Sequence, residues 1–171
     1  MASAASAKEY PTERIRNVAV LGHGGSGKSS LIDALCWVTG TAPRHEDPAS
    51  GHAFTMHTPE EEAHGISIQV TPAYAEWNGT KINLLDTPGY MDFTGETLSA
   101  VRVADAAIIC VGAHTGVEVG TEKVWQYCEA RGIPRILFVT MMDKEHADFD
   151  RVFRDIKARL TDKVIPVEVP I

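Results

Sequence analysis

Residues 22–29 read Gly-His-Gly-Gly-Ser-Gly-Lys-Ser, which fits G-x-x-x-x-G-K-[ST]. In such a loop the backbone N–H groups of Gly22, His23, Gly24, Gly25, Ser26 and Gly27 can wrap an anionic phosphate. The helix that follows points its positive end at the same place. Lys28 can reach the terminal phosphate oxygens of a nucleotide, and the Ser29 hydroxyl can ligate Mg²⁺. Ser30 is a further candidate at the start of that helix. A glycine-rich turn from strand to helix can also exist without a ligand. Here an apolar run precedes the loop and a helical pattern follows it, as phosphate binding requires.

A second constellation is Asp86-Thr87-Pro88-Gly89, directly after an apolar strand pattern. An aspartate at the carboxyl end of a strand beside a phosphate loop can hold Mg²⁺, usually through water. Gly89 has no side chain to block its N–H from a phosphate oxygen. In isolation D-T-P-G is an ordinary turn sequence. Its position one strand after a phosphate loop is what gives it chemical meaning.

The elements that must hold these residues alternate between strand and helix. Residues 17–21 (NVAVL) form a short apolar run opening into the glycine-rich turn. Residues 29–38 place Leu31, Ala34, Leu35 and Val38 on one helical face, and Gly40 stops it. Residues 67–77 alternate as a strand, and Asn78-Gly79 predicts a tight hairpin into residues 81–85. Pro72 cannot donate to a ladder, so that first strand is expected at a sheet edge. Residues 106–111 (AAIICV) and 135–139 (RILFV) are continuous apolar runs, as parallel strands covered on both faces require. Residues 121–131 predict a helix ended by Gly132 and Pro134. Phe149, Val152, Phe153, Ile156 and Leu160 mark an amphipathic helix, and residues 164–169 are expected to add a last strand. The expected fold is α/β: a mostly parallel sheet with one antiparallel edge hairpin and helices on both faces.

Residues 41–65 show no apolar period. They carry His45, His52, His57, His64 and the run Glu60-Glu61-Glu62. A loop this long in a compact domain is either a misread element or a functional mobile one. The histidines are too irregularly spaced to favour a metal site over a solvated loop. The glutamate run reads as a solvated helix start.

With 171 residues, 44% of them hydrophobic and 23% charged, the chain has the size and balance of one globular domain. Sixteen basic and 23 acidic side chains give a net charge of −7, which argues against a general nucleic-acid or membrane binder. Residues 1–13 read as a disordered polar leader without a signal-peptide core. Cys36, Cys110 and Cys128 show no C-x-x-C spacing, so a reducing, cytoplasmic setting is expected, with Cys36 and Cys110 serving as small core residues.

The order of these features resembles a translational GTPase: a phosphate loop, a long loop, Gly65-Ile66-Ser67-Ile68, then D-T-P-G. The stretches LLDTPGYMDFTGE, GVEVGTEKVWQYCEARGIPRILFV and MDKEHADFDRVFRDIKARL resemble elongation factor G in particular. The resemblance runs from about Lys8 to Ile171. It implies a Ras-like P-loop domain over residues 14–171 that ends before the family's last guanine-binding loop. It also implies GTP and GDP as ligands, Mg²⁺ held by Ser29, Ser67 and Asp86, hydrolysis of GTP, and the ribosome as partner through the larger protein. No membrane or direct nucleic-acid contact is expected of this portion.

Four positions depart from the family pattern. Ser67 stands for the usual threonine and keeps a hydroxyl. Gly25 stands where an aspartate is common. Thr140-Met141-Met142-Asp143 replaces N-K-x-D: Asp143 can still accept from guanine N1–H and N2–H₂, while Thr140 lacks the amide and Met141 lacks the charge. Guanine preference is therefore expected to be weakened. Tyr90 replaces the histidine that orients the attacking water. A phenol is not a base at neutral pH, but its oxygen can position water. The expected catalytic group is Tyr90, Gly89 and Lys28, with slow hydrolysis. The departures leave two other readings open, a GTP-sensing switch that does not hydrolyse and a P-loop ATPase or kinase.

Overall fold

The computed structural model describes residues 8–45 and 54–171. Residues 1–7 of the expected leader, and His52, lie outside the described residues. The strands are β1 (Ile15–Gly22), β2 (Thr71–Trp77), β3 (Thr80–Asp86), β4 (Ala106–Gly112) and β5 (Arg135–Thr140). They form one sheet in the order β2-β3-β1-β4-β5. β1 pairs in parallel with β3 and β4, and β4 with β5, while β2 runs antiparallel to β3. Asn78 and Gly79 both have positive φ, 47° and 72°, the turn that brings Trp77 opposite Thr80. β2, which carries Pro72, is the edge strand that its missing N–H requires.

Alternation along β1 and β4 feeds two cores. Ala19, Leu21, Ile109 and Val111 face α3 (Thr94–Val103), α4 (Val119–Ala130) and α5 (Phe149–Arg159), and they pack with Val101, Val124, Cys128, Val152 and Ile156. Val20, Cys110 and Leu84 face the other way, against Ile32 and Cys36 of α1 (Lys28–Val38). Each fully buried Leu or Ile stabilises the fold by roughly 1.5–3 kcal/mol. All three cysteines are free and buried.

The structure departs from the sequence expectations in several places. Residues 164–169 form no strand; Pro166 lacks an N–H, and the segment is largely exposed, leaving β5 at the sheet edge among the described residues. Residues 67–70 do not extend β2, because the N–H groups of Ile68 and Gln69 bond to Glu61 and that of Val70 bonds to Glu96. The aperiodic stretch contains α2 (Pro59–His64), capped by Thr58, and its Glu61 is buried rather than solvated.

An apolar groove of about 470 Å³ lies between α1 and the sheet and is lined by residues such as Leu35, Val38, Trp77, Ile108 and Ile136. It lacks the converging polar groups that recognise a charged ligand. The chemistry lies at the other end of the strands. β1 sits where the strand order reverses, and in open α/β sheets ligands bind outside the carboxyl ends of the strands at that point.

Candidate functional site

Three strand ends deliver the site. The loop of residues 22–27 leaves β1 and enters α1 through Gly27, whose φ of 80° suits glycine. Lys28 is buried, and its Nζ donates to the His23 carbonyl at 2.9 Å, closing the loop on itself. Burial pushes the Lys28 ammonium below its ordinary value, against the attraction of Asp86. His23 Nε2 lies 3.5 Å from Glu118 Oε1 and packs against Gly120, which ties the loop to α4.

Asp86, at the end of β3, gathers hydroxyls. Its Oδ2 accepts from Ser29 Oγ at 2.7 Å and from Thr55 Oγ1 at 2.5 Å. Ser67 Oγ stands 3.4 Å from Ser29 Oγ. Asp86 Oδ1 is buried with no partner among the described residues. Burial raises the Asp86 carboxyl above its ordinary value, opposed by the two hydroxyls and by Lys28. A buried carboxylate oxygen without a hydrogen bond is costly and calls for an explanation. A hard divalent cation takes oxygen ligands of this kind, so the donor set fits Mg²⁺. Ser29, Ser67 and Asp86 were expected together and are together. Thr55 was missed, since a lone threonine in an aperiodic loop gives no signal.

The turn after Asp86 covers the loop. A methyl group built on Gly89 would stand 2.6 Å from Gly24 N, and one on Gly24 would stand 2.9 Å from Tyr90 Cζ. Gly24, Gly89 and the Tyr90 ring are therefore in close contact, and only glycine permits the approach. Thr87 and Pro88 face inward: Thr87 Oγ1 donates to the Val20 carbonyl at 2.7 Å, and the Pro88 carbonyl accepts from Thr97.

At the end of β5, Thr140 Oγ1 donates to the carbonyls of Ser26 at 2.8 Å and Val111 at 3.2 Å. Thr140 is thus an internal tie for the phosphate loop. Met141 has a φ of 58°, which turns the chain sharply into the exposed Asp143. Gly25 and Ser30 are exposed, and Ser26 is buried. His45, His57 and His64 are exposed, and no group of three or more metal-ligating side chains of His, Cys, Asp or Glu occurs among the described residues.

The elongation factor Tu GTP-binding domain family matches residues 13–170, nearly the whole chain. The chain belongs to that family. This GTP-binding domain is 36% identical over 160 residues to a mitochondrial ribosome-releasing factor 2 of Debaryomyces hansenii, covering 94% of the chain and 19% of that protein. It is 33% identical over 166 residues to an elongation factor G of Dehalococcoides mccartyi, covering 97% of the chain and 24% of that protein. A crystal structure of a Thermus thermophilus protein superimposes with a TM-score of 0.81 at 40% identity, over 85% of this chain and 22% of the other. The chain thus spans about a fifth to a quarter of the length of these relatives. The expected α/β fold, with its antiparallel edge hairpin, is the fold of the domain.

Proposed function

We propose that the domain binds GTP and GDP with Mg²⁺ and slowly hydrolyses GTP as the nucleotide-binding part of an elongation-factor-G-like protein acting on the ribosome. The observation that carries this reading is the convergence of Ser29 and Ser67 beside Asp86, whose Oδ1 is buried without a partner among the described residues. A magnesium ion held by Ser29, Ser67 and Asp86 would neutralise charge on the β- and γ-phosphate oxygens.

The chain's own groups do the rest. The N–H groups of residues 22–27 and the N-terminus of α1 bind the phosphates. Lys28 exchanges the His23 carbonyl for phosphate oxygens. Asp143 accepts from guanine, and the Met141 side chain offers an apolar contact to the base. Gly89 presents its N–H to the terminal phosphate. Water then attacks the γ-phosphorus as the bond to the β–γ bridging oxygen breaks, with the Tyr90 hydroxyl orienting the water.

The name of the ribosome-releasing factor supports the ribosome as partner, and that of the elongation factor supports a translational setting. A cytoplasmic location is part of the same reading; no helix among the described residues is long and apolar enough to cross a membrane. The test is titration of fluorescent GDP and GTP with and without Mg²⁺, with ATP as competitor. Displacement by GTP but not by equimolar ATP is expected. Equal competition would replace this reading with a P-loop ATPase or kinase.

A second reading rests on Tyr90. A neutral phenol packed over Gly24 fits a GTP-sensing switch that does not turn over. Single-turnover hydrolysis with and without ribosomes separates the two.

A further inference from the structure

Glu61 is a buried carboxylate in the loop that carries Thr55 and Ser67, 1% exposed, and none of the chemistry above uses it. Its Oε2 accepts from the N–H groups of His57 at 3.3 Å and Thr58 at 3.2 Å. Its Oε1 accepts from those of Ile68 at 2.9 Å and Gln69 at 3.3 Å. The first pair precedes α2 and the second follows it, so one side chain joins both ends of a loop. Capping α2 accounts for the bonds at Thr58 and His57. It does not account for those at Ile68 and Gln69, which lie beyond the helix.

The two ends are the ones that carry the hydroxyls. Thr55 is two residues before His57 and donates to Asp86 Oδ2. Ser67 directly precedes Ile68 and lies beside Ser29. We infer that Glu61 is a positioning residue that holds Thr55 against Asp86 and Ser67 beside Ser29, and that Thr55 is a further hydroxyl of the cation site. Glu61 makes its hydrogen bonds to backbone N–H groups and acts through the backbone it fixes, while its charge also pushes the Asp86 carboxyl up. A carboxylate suits the task because it is acceptor-only and can take bonds at both oxygens. Glutamine has the same shape, but its amide nitrogen cannot accept, so one end of the loop is released. This inference rests on the proposed Mg²⁺–nucleotide reading.

Two measurements test it. In nucleotide-free protein, Glu61→Gln is expected to speed amide hydrogen exchange by about tenfold or more at His57 and Thr58 or at Ile68 and Gln69, the scale of one lost charge-assisted bond. In protein loaded with N-methylanthraniloyl-GDP, release is followed as Mg²⁺ is titrated. Glu61→Gln is expected to raise the half-saturating Mg²⁺ about tenfold and to leave the release rate in EDTA unchanged. In a Thr55→Val, Ser67→Ala background, Glu61→Gln should add no further change. An unchanged Mg²⁺ dependence in Glu61→Gln, or full additivity in that background, overturns the inference while the nucleotide reading stands. A parent protein whose nucleotide release ignores Mg²⁺ overturns both.

Discussion

The hydroxyl of Thr140 donates to the carbonyl of Ser26, 114 residues earlier in the chain, at 2.8 Å. Thr140, which the resemblance sets at the asparagine of N-K-x-D, therefore braces the phosphate loop. Thr140→Val removes the hydroxyl with almost no change of shape. It should cost about 1 kcal/mol in urea denaturation, since two buried carbonyls lose a shared donor. Affinity for MgGDP should fall with it, as the loop loses its anchor. Full affinity in a destabilised variant would confine Thr140 to stability.

Lys28→Ala should abolish measurable triphosphate binding. Lys28 is buried at the start of α1 and its Nζ already closes the loop through the His23 carbonyl. Calorimetry with MgGTP should register a loss beyond about tenfold, or 1.4 kcal/mol. A folded variant that binds as tightly as the parent would remove the phosphate-loop assignment.

Much of this arrangement is legible in the sequence because it rests on local patterns. β4 and β5 announce themselves as apolar runs, α5 as a clean helical period, and the hairpin as Asn78-Gly79 beside a Pro72 that forbids an inner strand. Ser29, Ser67 and Asp86 are legible through motifs on three separate segments. α3 is not, since its buried side chains are the small Thr97, Ala100 and Val101 and leave no bold stripe. Glu61 is hidden for another reason. Three glutamates in a row do not say which one turns inward, and its partners are backbone N–H groups, which have no sequence signature. Residues 164–169 mislead in the opposite sense: alternation with valine and isoleucine predicts a strand, but Pro166 and exposure prevail.

Acid should expose the role of Glu61 in stability. Burial pushes its carboxyl up, but the N–H groups of Ile68, His57, Gln69 and Thr58 outweigh this and hold it below its ordinary value of 4.5. A carboxyl lowered in the folded state binds its proton more weakly there than in the unfolded chain. Its contribution is therefore complete above about 4.5 and disappears as pH falls through the lower folded value. Thermal unfolding of the parent and Glu61→Gln should differ most near neutrality and converge at the acid end. A constant gap across the range would show that charge is not what matters at this position.

Asp143→Ala should erase most of the preference for GTP over ATP. Its carboxylate lies exposed on the turn after β5, where a base stacked near Met141 could present two donors to it. Adenine does not offer those two donors together, so the pairing is where discrimination resides. Competition assays on parent and variant give the ratio directly. Selectivity that survives the substitution would move the guanine contact elsewhere.

Tyr90 decides between an enzyme and a sensor, and its packing makes a clean test possible. Its ring lies so close to Gly24 that a methyl group there would stand 2.9 Å from Cζ. Tyr90→Phe keeps that ring and its contact with the loop and removes only the hydroxyl, so any change in rate reports the oxygen alone. If the hydroxyl orients the attacking water, single-turnover hydrolysis at saturating ribosomes should slow by about tenfold or more. GTP affinity should barely change, because the ring contact that shapes the loop is retained. Tyr90→His introduces a group that can accept or donate a proton near neutral pH and should hydrolyse at least as fast as the parent. Gly24→Ala supplies the complementary perturbation. It forces the ring off the loop while leaving the phenol intact, so it should lower both affinity and rate. Equal rates for the parent and Tyr90→Phe, with Gly24→Ala still impaired, would assign Tyr90 to shaping the phosphate loop and shift the weight to a switch that binds GTP without turning it over.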